Sequence, residues 1–154
     1  MKTLFLLPFL AIIFASCSKN ETPSDPLADL ATKASMVVQS EWIVTQFTDS
    51  GKDETSTYSG YKFKFNTDGT FIAAPSDTTY TGTWILELGS NKTDNYGNIS
   101  ADDKLNRLTI SINGSVQMNQ LSHKWLTDKI TATEIWLRDD NLASNEILKF
   151  GKQN

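Results

Sequence analysis

Cysteine is almost missing from this sequence of 154 residues: Cys17 stands alone, so no internal disulfide can form. Histidine is as scarce. His123 is the only one, so any Ser-His or Cys-His device would have to use it, and a histidine-based zinc site would be left with carboxylates alone. There is no basic run. Fourteen Lys and Arg against 18 Asp and Glu leave a formal net charge of −4, which excludes the electrostatic footprint of nucleic-acid binding. The same acidity repels anionic headgroups, so membrane attachment would need a source other than charge. No apolar stretch reaches the about 20 residues that cross a bilayer as a helix. No repeat recurs at a fixed period, which argues against a propeller or solenoid. With 39% hydrophobic and 21% charged residues, the length suits one domain able to build a core without disulfides.

What is present begins with the N-terminus. Lys2 precedes an 11-residue apolar run, Leu4 to Phe14, followed by the small residues Ala15 and Ser16 and then Cys17. This order predicts a cleaved secretory signal over residues 1–16. From residue 17 onward 13 basic side chains face 18 acidic ones, a formal −5. Phe14-Ala15-Ser16-Cys17 resembles the lipobox of bacterial lipoproteins, with Phe14 where Leu is usual, a variation similar to that of Bacteroidetes lipoproteins. The resemblance implies diacylglycerol on Cys17 and anchoring in the outer membrane, since two or three acyl chains hold stably. Ser18-Lys19-Asn20-Glu21 resembles the sorting signal that carries such lipoproteins to the cell surface; a periplasm-facing location is the alternative. Residues 17–25 read as a flexible tether, rich in Ser, Thr, Pro and charge.

Asp25-Pro26 is a helix start, a capping Asp before a Pro at the first helical position, and predicts a short helix over 26–39. Residues 40–154 then alternate as strands: Glu41–Thr48, Tyr58–Asn66, Thr70–Ala74, Thr79–Leu88, Leu105–Ile112, Ser115–Leu121, Lys124–Ile130, Glu134–Arg138 and Glu146–Phe150. In the first of these, strict alternation sets Trp42 and Val44 on one face and Ile43 and Phe47 on the other. Asn66-Thr67-Asp68-Gly69 reads as a hairpin turn, and Asn113-Gly114 predicts that 115–121 folds back on the strand before it. Gly89–Asp103 is a polar loop, and no helix is expected after residue 39. The fold class is all-β, an antiparallel meander barrel or sandwich of eight or nine strands with one short N-terminal helix.

Trp42, the run Tyr61-Lys62-Phe63-Lys64-Phe65-Asn66-Thr67-Asp68-Gly69-Thr70-Phe71, the triplet Gly82-Thr83-Trp84, and Trp125–Ile130 with Ile135-Trp136-Leu137 and Ile147-Leu148-Lys149-Phe150 resemble the lipocalin-like domains of Bacteroidetes lipoproteins. The resemblance implies a β-barrel that binds a small apolar ligand. Ser40-Glu41-Trp42 stands where lipocalins open with Gly-X-Trp, and small eight-stranded barrels can instead fill with side chains.

Nothing in the pattern points to catalysis. The acidic pairs Asp53-Glu54, Asp102-Asp103 and Asp139-Asp140 are neighbours, and neighbours in a strand face opposite ways. A calcium loop before Gly97 would need an acid where Lys92 stands. No catalytic residue, metal site or cofactor is expected. Trp42, Phe63, Phe65, Phe71 and Trp84 are candidates either for the core or for the lining of a ligand pocket. The expectation is a non-enzymatic, membrane-anchored domain that binds a small apolar ligand; the alternative is a surface module with a filled core that meets a protein or glycan.

Overall fold

The structure is a computed structural model that describes residues 25–90, 105–141 and 143–153. The helix α1, Pro26–Val38, starts where the sequence places it, with the Asp25 side chain accepting from the Leu27 amide. Among the described residues nine strands follow: β1 (Glu41–Asp49), β2 (Lys52–Asp53), β3 (Lys62–Phe65), β4 (Thr70–Ala74), β5 (Tyr80–Glu87), β6 (Arg107–Ser111), β7 (Lys124–Ile130), β8 (Glu134–Asp139) and β9 (Ile147–Lys152). A 3-10 turn covers Thr55–Tyr58, and a second helix, α2, covers Val116–Leu121. Each long strand pairs antiparallel with the next, and β1 pairs with β9, so β1 and β3–β9 close an eight-stranded meander barrel. The two-residue β2 folds back on β1 outside that ring.

Three expectations are corrected. The residues after Asn113-Gly114 are helical, so among the described residues two helical elements stand beyond residue 39. Ser115 is an N-cap whose hydroxyl accepts from the Met118 amide, and Met118 and Leu121 fall three apart on the buried side of the turn. As a strand, the same segment would have sent those two side chains to opposite faces. The strand β6 pairs with β7 instead, Leu108 opposite Trp125. The strand expected from Tyr58 starts at Lys62, because Thr55–Tyr58 coils as a 3-10 turn and Gly60 takes a φ of 81°. Finally, Trp42 and Phe47 share the inner face. The β1–β9 register shifts between Val44 and Gln46, and the extra residue reverses the alternation, so both rings are buried.

The barrel is covered at both ends. α1 lies against β3, β5 and β7, three strands spaced around the wall, and the Trp42 indole N–H donates to the Val37 carbonyl at 2.8 Å. Its first turn projects outward, leaving Leu27 exposed. At the opposite end α2 is held by the Tyr58 hydroxyl, which donates to the Gln117 carbonyl at 2.9 Å, and by the Trp125 indole, which donates to Leu121 at 3.1 Å.

Candidate functional site

The inward rows bring four of the five candidate aromatics together as core. Trp42, Phe63, Phe65 and Phe71 have no exposed area. Phe63 stacks on Phe71 at 5.9 Å and meets Phe150 edge-on at 5.4 Å, and Phe65 lies 4.7 Å from Phe71. The rings thus join β3, β4 and β9 across the interior. Trp84 is half-buried: it packs edge-on to Phe65 at 5.4 Å, and its indole N–H reaches the Asn66 carbonyl at 2.9 Å. Side chains lining a void of ligand size would expose area to it. Trp42, Phe63, Phe65 and Phe71, together with Leu108, Met118, Trp125, Ile135, Leu148 and Phe150, expose none.

Among the described residues two clefts open at the β1 edge of the barrel. The strands β1 and β3 pair only at Glu41–Lys64 and Trp42–Phe63 before they part. Along that seam lies a cleft of about 270 Å³ lined by Ile43, Val44, Tyr58, Gly60 and Tyr61, with Lys62 and Gln153 at its edge. Those last two residues also line a polar cleft of about 450 Å³ beside Gln39, Glu41 and Lys152. On the wall formed by β7, β8 and β9, Trp136 faces out, with the ammonium groups of Lys129 and Lys149 4.4 and 4.5 Å from its ring centre. Two cations over one ring occupy a surface on which a sugar would otherwise stack.

At the α2 end the inward rows finish in ionisable groups. His123 lies two residues before buried Trp125, Asp139 two after buried Leu137, and Glu146 two before buried Leu148. Period two therefore turns all three toward the barrel mouth, where one ligand atom from each lies within 4.8 Å of the others. His123 Nε2 is 3.8 Å from Glu146 Oε2. Asp139 is buried and held on both oxygens, by the Ser144 hydroxyl at 2.6 Å and the Asn141 amide at 3.2 Å. Burial pushes its carboxyl up, but those hydrogen bonds and His123 outweigh that and leave it below the ordinary range. Glu146 goes the other way. Burial raises it first, the carboxylates of Asp139 and Asp49 add to the rise, and His123 offsets only part. Its Oε2 is buried with no hydrogen-bond donor.

Sequence reasoning missed this cluster because its members are 16 and seven residues apart along the chain. The alternating patterns His123-x-Trp125, Leu137-x-Asp139 and Glu146-x-Leu148 were the available signal. Cys17, residues 1–24 and the 91–104 segment, which includes the calcium candidate with Lys92, lie outside the described residues. No helix among the described residues is long and apolar enough to cross a membrane.

No protein-family model matches this chain, and no curated protein matches it. Two solved structures are similar. One is a crystal structure of a DUF4847 family protein from Bacteroides vulgatus, 15% identical, covering 78% of this chain and 98% of its own, with a TM-score of 0.47. The other is an NMR structure of a protein from Burkholderia xenovorans, 11% identical, covering 98% of this chain and 99% of its own, also with a TM-score of 0.47.

Proposed function

We propose that this chain is a non-enzymatic lipoprotein, tethered to the outer membrane through Cys17, whose lipocalin-like barrel works through its outer wall as an interaction module for a cell-surface protein. The observation that carries the choice between carrier and module is the interior: Trp42, Phe63, Phe65 and Phe71 pack against one another with no exposed area. A carrier of apolar ligands needs a cavity of about 300 Å³ or more facing such rings. The helices α1 and α2 lie over the two ends through which a ligand would enter. The seam cleft where β1 and β3 part, with exposed Ile43 beside Tyr61, provides a contact surface. Support for the anchor comes from the order of apolar run, small residues and Cys17. A protein partner is favoured over a glycan because Lys129 and Lys149 already cover the outward Trp136.

The test is native mass spectrometry of a chain beginning at residue 26, with and without an apolar fluorescent probe. The expected mass is that of the polypeptide alone, with no saturable probe uptake. One small molecule bound per chain would overturn the filled-module reading and restore the carrier.

A further inference from the structure

The barrel mouth under α2 holds a donor set with a buried oxygen left over. We propose that His123, Asp139 and Glu146 form a binding site for one divalent transition ion of the zinc class, which pins the start of β7 to the β8–β9 hairpin. One imidazole nitrogen and two carboxylates suit zinc. Calcium takes six to eight oxygens, and a calcium site would not centre on an imidazole. Four-coordinate zinc with bonds of about 2.0–2.2 Å sets its ligand atoms roughly 3.3 Å apart. His123 Nε2 and Glu146 Oε2 are 3.8 Å apart, and all three ligand atoms lie within 4.8 Å. Side-chain rotation closes the difference, since the His123 side chain is 35% exposed and the Glu146 side chain 16%.

Two further observations point to a cation rather than to chance proximity. Glu146 Oε2 is buried, faces the cluster and has no hydrogen-bond donor. Such an atom costs free energy unless a positive group meets it. Asp139, more than nine-tenths buried, is held by hydrogen bonds from Ser144 and Asn141, the kind of support that orients metal-binding carboxylates. Asp49, inward-facing at the end of β1 and held by Gln120, adds a third negative charge toward Glu146. The exposed edge of His123 leaves the remaining coordination position to water. This ion site revises the expectation from sequence, in which a lone histidine left zinc unsupported.

The experiment titrates Zn²⁺ into the full-length chain, stripped with EDTA and held in detergent, by calorimetry. One ion per chain is expected. Affinity should fall at least about tenfold in His123→Gln and in Glu146→Gln, and about 10–100-fold in Ser144→Ala, which loosens Asp139. A second readout is local: the His123 ring centre is 5.3 Å from that of Trp125, so bound Co²⁺ should quench part of the tryptophan emission in the wild type but not in His123→Gln. No stoichiometric uptake by the wild type overturns the site, as does binding or quenching that His123→Gln leaves unchanged. Should Glu146→Gln fail to fold, the partly exposed His123 position decides the matter.

Discussion

A Cβ built on Gly82 would lie 2.2 Å from the carbonyl oxygen of Ser111 and 2.7 Å from the Cβ of Ile112. The strands β5 and β6 approach so closely at this corner of the barrel that only a missing side chain fits. Gly82→Ala should therefore cost about 3 kcal/mol or more, because the obstacle is backbone that cannot rotate away. Urea denaturation measures it. A midpoint equal to wild type would show that β5 and β6 can separate freely, contrary to this account.

Phe63 touches Tyr58, Tyr61, Phe71 and Phe150 and has no exposed area. Phe63→Ala should cost about 3–5 kcal/mol through lost burial and the cavity left behind. The predicted signature is a large drop in melting temperature in a protein that takes up no apolar probe before the truncation. A variant that melts like wild type but has lost probe binding would contradict the filled interior.

The buried Tyr58 hydroxyl, pushed up in pKa chiefly by burial, donates to Gln117 and so fastens α2. Tyr58→Phe should cost about 0.5–1.5 kcal/mol at neutral pH, the net worth of one hydrogen bond. The pH dependence has a definite sign. With the folded value above the unfolded value near 10, the folded protein holds its proton longer, so this contribution is full below pH 10 and lost as pH rises further. Wild-type stability should then fall relative to Tyr58→Phe by up to about 1.4 kcal/mol per pH unit above 10. Parallel alkaline unfolding curves for the two proteins would refute the claim.

Cys17 follows the apolar run and two small residues directly. Cys17→Ser should abolish incorporation of a fatty-acid analogue and leave the precursor uncut. Equal labelling of variant and wild type would remove the anchor from the proposal.

Alternation alone was enough to find the strands that carry Trp42, Phe63, Phe71, Trp84, Leu108, Trp125, Leu137 and Phe150, and the Asp25-Pro26 cap was enough to find α1. A strand with one buried face writes a period of two into the chain, and a helix start uses particular capping chemistry, so both are local properties. Ser115 offered the same kind of signal for α2, which the adjacent Asn113-Gly114 pair obscured.

The tertiary structure decided the rest. The bulge after Val44 placed Phe47 on the same inward face as Trp42, because one extra residue reverses a period of two, and only the pairing of β1 with β9 reveals it. Closure by that same pairing determined that Phe63 and Phe150 meet, though 87 residues separate them. It also turned the choice between pocket and core toward core, since the space inside a barrel depends on how rings from opposite walls interdigitate. His123, Asp139 and Glu146 are unremarkable where they stand in the chain. They converge because β7, β8 and β9 are neighbours whose inward rows end at one mouth, a relation that arises when the sheet forms and that no short stretch of sequence contains.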